Sequence, residues 1–418
     1  MNRRSVLVLS TCLCAAWLPV SAQDFRLFDR QVQIHGFASQ GFVHTNQNNW
    51  LTMNTSPVGS GEFTDFGANA SVQITDKFRI GAQFYDRNIG EIGKWRPELD
   101  WAFGDYLFKE WFGVRGGKIK TALGLYNDTQ DLDLLQTWAI LPQSIDPLDL
   151  RSSTMSHLGG DIYGAIRLPK KLGTLSYTTY AGERPQDPNG GFVLGLASVG
   201  LTMHSYGGWV QGEDLRWNTP VKGLLVGASL MNQHITGDGV LTGSTEGITY
   251  LSGLFELPVG SLEQEHSKKD DYYQYYVQYS WRGLRLDGEY RREFRDEWVG
   301  YWEPNSTTLA VTFDAISDSR AWYGAAACRI SKRLELGTYY SRFTADARKD
   351  PSPPSNHVYD RVATARIDLT NHWYAKIEGH FMNGYGAFDS IRGFYGQQNP
   401  KGLQPNTNAL VIRTGFSF

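Results

Sequence analysis

The residues of this chain that could do chemistry are charges crowded into one stretch, not nucleophiles set beside bases. Segment 121–155 reads TALGLYNDTQDLDLLQTWAILPQSIDPLDLRSSTM and carries Asp128, Asp131, Asp133, Asp146 and Asp149 against Arg151 alone. Fixed charges in a narrow opening sort passing ions, because solvent screening is incomplete there. Covalent chemistry has no comparable signal. The nine histidines fall in no H-E-x-x-H spacing and no G-x-S-x-G is present. Gly237, Gly239 and Gly243 miss the phosphate-loop spacing, and Cys328 by itself cannot build a zinc site. We expect no enzyme and no cofactor.

The same segment is too apolar to stand free in water. Leu132, Leu134, Leu135, Trp138, Ile140 and Leu141 need cover. Asn127 or Asp128 could cap a short helix with Leu132, Leu135, Ala139 and Ile140 on one stripe, ended before Pro142. The expectation is a loop folded inside a larger shell, with its acids facing a basic wall of Arg79, Arg115, Lys118 and Lys120. The other expectation for such a loop is a subunit contact or an external cap.

The shell is legible as alternation. In 284–293, Leu284, Leu286, Gly288 and Tyr290 share one side, and Arg285, Asp287, Glu289, Arg291 and Glu293 share the other. A strand sends successive side chains to opposite faces, so one face is apolar and one charged. Segments 273–281 and 373–381 repeat the split. Soluble sandwiches alternate too, but their strands are usually about 5–6 residues, whereas a tilted membrane crossing needs roughly 9–11. Here the segments are long, and short turns such as 76–77, 108–109, 169–170, 219–220, 282–283, 331–332 and 370–371 alternate with long connections. That is the plan of an outer-membrane barrel.

We count 16 strands: 32–46, 63–75, 78–88, 96–106, 110–119, 156–168, 171–183, 207–217, 221–234, 271–281, 284–294, 319–330, 332–344, 357–369, 371–383 and 407–418. Two strand-like pieces inside loops, 248–257 and 307–314, would make the count 18. The fold class is an all-β, 16-stranded antiparallel transmembrane barrel (18 strands as the variant) with an inward-folded third extracellular loop at about 120–155. A shell of that size leaves an aqueous lumen. By parity its inner face carries Arg79, Arg115, Lys118, Lys120, Arg167, Arg285, Arg291, Arg329, Arg333, Arg366, Lys376 and Arg413. The matching acids are Glu98, Asp100, Asp161, Asp287, Glu289, Glu335, Asp368 and Glu378. His35 and His380 are read as wet lumen histidines.

Composition agrees. Mean hydropathy is −0.38, which excludes a bundle of transmembrane helices but not a barrel, whose faces average out. Residues 1–22 have a basic start (Arg3, Arg4), an apolar run and an A-x-A-like site at Val20-Ser21-Ala22, a secretory signal that takes Cys12 and Cys14 with it. The domain is then 23–418. Setting Arg3 and Arg4 aside leaves 38 of 40 basic residues against 43 acidic, a formal charge of −5 that gives no basis for nucleic-acid binding. Trp217, Trp281, Trp373 and Phe418 fall near the expected periplasmic ends, where an aromatic girdle belongs. The last strand puts Phe416 and Phe418 on one face, a pattern that resembles the sorting signal read by the outer-membrane barrel assembly machinery.

Segment 118–147, KIKTALGLYNDTQDLDLLQTWAILPQSIDP, followed by GGDIYGAI at 159–166, resembles the third-loop region of the phosphate-selective porin O/P-type and dicarboxylate-porin-like group. With the strand layout, the likeness extends over essentially all of 23–418. It implies a homotrimer in the bacterial outer-membrane bilayer and passive diffusion of small hydrophilic solutes and ions, anions among them. The alternative is an adhesin or scaffold barrel whose long loops bind a partner. An outer-membrane enzyme ranks below both, for want of a nucleophile with a neighbouring base.

Overall fold

A computed structural model describes residues 23–27, 30–184, 190–198, 200–242, 257–386 and 392–418. The expected signal at 1–22 lies outside them.

The chain forms one antiparallel β-barrel. A short strand β1 (Gln23–Leu27) precedes β2 (Arg30–Thr45), β3 (Ser60–Gln73), β4 (Phe78–Ile89), β5 (Glu98–Lys109), β6 (Phe112–Lys120), β7 (Ser156–Arg167) and β8 (Thr174–Arg184). A helix α1 (Gly191–Ser198) leads to β9 (Leu201–Asn218), β10 (Leu224–Leu241), β11 (Leu262–Trp281), β12 (Leu284–Trp302) and β13 (Leu309–Arg329). The wall is completed by β14 (Leu334–Thr344), β15 (His357–Asp368), β16 (Trp373–Asn383) and β17 (Asn406–Ser417). Each strand from β2 pairs with the next, and β17 closes on β2 from Ala409↔Thr45 to Ser417↔Phe37. Closure therefore involves 16 strands, and among the described residues β2 to β17 each have a partner on both sides. Among the described residues, only β1 stands outside this count. It pairs with the foot of β2, Gln23 opposite Ile34, below the point where β17 ends.

Of the two pieces that would have raised the count, 309–314 is the upper end of β13, and 248–256 lies outside the described residues. β9 to β13 run 18–21 residues, well past the expected ends. The reason is an inversion of pattern. Above the apolar band, the inner face turns apolar (Ile235, Leu241, Val299, Tyr301, Val311) and packs with Val193 and Leu196 of α1. The outer face there turns polar, with Asp238, Gln264, Lys268 and Asp314. A reading tuned to a greasy exterior stops at that switch.

The interior is also fuller than a plain aqueous lumen. One apolar core joins Trp50 and Met53 of the first loop, Trp138, Ala139, Ile140 and Ile145 of the third, and Phe394 of the last to inner-wall residues Tyr339, Phe343, Val362 and Val411. Trp138 meets Tyr339 edge-on at 5.0 Å, and Trp50 lies 6.4 Å from Phe394. Folding three loops inward buries apolar surface that each would otherwise expose.

Candidate functional site

The third loop, 121–155, leaves β6 at the top of the wall and crosses the barrel. Gly124 makes the entry possible: its φ is +68°, and a Cβ there would lie 1.9 Å from the Gln274 amide nitrogen. Just beyond, the Leu125 amide donates to Glu289 at 3.0 Å and the Tyr126 hydroxyl to Asp287 at 2.8 Å. The far end is held against β15 to β17. Glu378 accepts from the Ala139 and Ile140 amides at 3.0 and 3.1 Å. Lys376 donates to the Asp133 carboxylate and the Trp138 carbonyl at 2.7 and 2.8 Å. Arg413 donates to Asp133 at 3.1 Å, the Ala139 carbonyl at 2.8 Å and Asp65 at 2.9 Å.

No α-helix forms in this loop. Two 3₁₀ turns, Asn127–Thr129 and Asp133–Leu135, take its place, and Leu135 is 51% exposed instead of joining a buried stripe. Nor do its acids line an opening together. Asp131 is buried on Lys120, and Asp133 on Lys376 and Arg413. Asp146 and Asp149 are buried on Gln130 and the Tyr395 hydroxyl, at 3.3 and 2.8 Å. Asp128 alone of the five is half open. The loop's only arginine, Arg151, is buried too, donating to Asp100 at 2.7 Å over the Tyr85 ring.

Asp128 borders a space of about 310 Å³ between the loop and the inner wall of β5 to β9, with Trp101, Phe103, Arg115, Lys120, Thr178 and Arg216 around it. Arg115 sits between the Phe103 and Tyr163 rings, 5.8 and 4.7 Å from their centres. Three ion pairs on the inner wall present the cation and hide the acid. Side-chain exposure is 24% for Arg115 against 1% for Asp161, 27% for Arg216 against 4% for Asp214, and 23% for Arg285 against 2% for Asp287. Arg79 over Asp105 and Arg329 over Glu335 and Asp368 repeat the arrangement toward the short-turn end. The cause is reach: an arginine extends several bonds beyond the carboxylate that anchors it.

Among the remaining expected wall residues, Arg366 faces inward and donates to the Leu134 and Gln136 carbonyls at 2.5 and 2.7 Å. Lys118 does not face inward. It opposes Ala102 and Leu158, and Leu158 is 52% exposed on the outer side, so its ammonium instead reaches the Leu99 carbonyl at 2.5 Å. Arg115 and Lys118 differ in parity and cannot share a face. Arg167 is 84% exposed at the rim, 3.7 Å from Glu110, and Arg333 lies exposed in the turn before β14, so neither borders the constricted space. His380 is not wet: it is buried between Asp360 and Glu378 at 2.7 and 3.1 Å. Sequence reading missed Arg216, Trp101 and Phe103. Arg216 was findable, since it alternates with the lipid-facing Leu215 and Trp217. Phe103 was masked by a register shift in β5 opposite Gln83 and Phe84, which turns Trp101 and Phe103 inward. Among the described residues, no group of three or more His, Cys, Asp or Glu is placed to hold a metal ion.

Comparison by sequence finds no matching family model and no matching curated protein. Solved structures match over nearly the whole chain. Outer-membrane expressed OmpT of Vibrio cholerae aligns with 95% of this chain and 100% of its own at 9% identity, TM-score 0.54. The anion-selective porin of Comamonas acidovorans aligns with 93% and 100% at 10% identity, TM-score 0.54. The outer-membrane channel DcaP of Acinetobacter baumannii aligns with 94% and 99% at 9% identity, TM-score 0.53. At such identities the likeness is one of fold.

Proposed function

We propose that this barrel is an outer-membrane porin: a passive channel for small hydrophilic solutes and ions that favours anions and catalyses no reaction. The reading rests on one observation, the cation-forward ion pairs bordering the space beside the third loop. An anion about 4 Å from a guanidinium and about 7 Å from its carboxylate gains on the order of 1–2 kcal/mol at an effective dielectric near 20. That corresponds to a permeability bias of roughly fivefold to thirtyfold, less in high salt. Arg79, Arg115, Lys120, Arg216, Arg285 and Arg329 supply the positive faces, and Asp128 opposes them. The third-loop resemblance to the O/P-type and dicarboxylate-porin group points the same way. With it go residues 1–22 as an export signal, Phe416 and Phe418 as the assembly signal, and a homotrimer as the working unit.

Single-channel recording tests this. Purified protein added to a planar bilayer should give ohmic steps, with a reversal potential on the anion side in a potassium chloride gradient. Arg115→Gln combined with Arg216→Gln should shift that potential toward cations. A silent protein would point to the adhesin or scaffold alternative. An unmoved reversal potential would remove these two arginines from the ion path.

A further inference from the structure

The outer wall of β12 to β15 carries charges at positions where a barrel meets lipid. Arg292 and Arg320 both grip Asp318, at 2.7 and 3.1 Å. Arg342 and Arg361 differ: among the described residues neither has a carboxylate partner. Arg342 lies 4.4 Å from the centre of the Tyr359 ring and donates to that hydroxyl at 2.9 Å. Arg361 lies 5.7 Å from the centre of the Tyr340 ring. Register places the two side by side, Arg342 opposite Tyr359 and Tyr340 opposite Arg361, on the outward parity of β14 and β15. Both are in the half of their strands next to the long loops, the extracellular half if the short turns are periplasmic.

Below them, toward the short turns, the same wall is hollowed. Gly324, Ala326 and Thr338 leave a groove of about 570 Å³ whose rim includes Tyr340 and Arg361. An uncompensated cation facing hydrocarbon is costly, and less so where it meets an anionic headgroup. Guanidinium groups bind phosphate through two parallel hydrogen bonds, and a ring stacked beneath each one limits its motion. Small side chains below give an acyl chain a bed. We propose that Arg342 and Arg361 hold a phosphate of a phosphorylated glycolipid in the outer leaflet, with one acyl chain lying in the groove lined by Gly324, Ala326 and Thr338. This rests on the barrel's placement in an outer membrane and not on its conductance.

Native mass spectrometry of the full barrel in a nonionic detergent tests it, with bisphosphorylated lipid A as the probe. The wild type should retain the lipid. Arg342→Gln with Arg361→Gln should lower occupancy by roughly tenfold or more, as loss of charged hydrogen bonds does. Arg292→Gln, whose guanidinium is already matched to Asp318, should leave occupancy unchanged. Ala326→Phe should weaken retention by filling the groove. Heat-shifted gel migration would show that each variant is folded. Equal retention by the double variant, or of dephosphorylated lipid A by the wild type, would overturn the proposal. Displacement of the lipid by millimolar inorganic phosphate would assign the arginines to a soluble anion, and a change of oligomer mass at constant occupancy would assign them to a second copy; either result also overturns it.

Discussion

Asp146 is buried in the third loop with the Gln130 amide at 3.3 Å and one carboxylate oxygen unbonded. Burial, reinforced by the nearby Glu289 charge, pushes its carboxyl up to about 8. Asp149, buried against the Tyr395 hydroxyl, is raised for the same first reason. Between the ordinary aspartate value and about 8, the folded protein keeps a proton at Asp146 that the unfolded chain has released. Stability contributed by this site therefore falls as pH rises through that window and levels off above it. Asp146→Asn should flatten the dependence, raising the thermal midpoint more at pH 8 than at pH 5; equal gains at both would show the carboxyl charged throughout. Asp133 has the opposite sign. Its burial is outweighed by Arg413 and Lys376, which hold its carboxyl low, so its contribution is lost only as pH falls into the acid range. These acids tune how the loop packs; of the loop's five, Asp128 alone is half open to the space beside Arg115 and Arg216.

At the scale of elements, the third loop shows why an apolar stripe need not become a helix. Its backbone groups find partners on the wall: Glu378 for the Ala139 and Ile140 amides, Arg366 for the Leu134 and Gln136 carbonyls, Lys376 and Arg413 for the Trp138 and Ala139 carbonyls. With those hydrogen bonds satisfied across the barrel, the helical ladder has no advantage there. The need for cover was legible in Trp138, Ile140 and Leu141; the form of the cover was not. Trp138→Ala should cost about 3–5 kcal/mol and loosen the loop. A lower thermal midpoint together with larger or noisier conductance steps is expected. An unchanged step size would mean that the loop's position does not limit the current.

For the whole molecule, closure depends on the last residue as well as the last strand. Phe418 and Gly36 exchange backbone hydrogen bonds of 3.2 and 3.0 Å. The Phe418 ring covers Gly36, where an added Cβ would lie 2.6 Å from it. Deleting Phe418 should slow insertion into bilayers of defined lipid, followed as the appearance of the heat-shifted gel band. Gly36→Val should do the same by lifting the ring. Normal rates for both would confine the terminal residue to a role outside folding.

Strand identity and count were set locally, because a wall between oil and water imposes a period of two that each segment carries in its own residues. That is why β2 to β17 were legible. The unread parts depend on residues far apart in the chain. The upper ends of β9 to β13 follow from α1 packing inside, the inward turn of Phe103 from a shift against β4, and the burial of Asp133 from Lys376 and Arg413 more than 240 positions later. A charge's type is written in the sequence, but which partner neutralises it and which side it shows to water depend on distances that exist only once the barrel has closed.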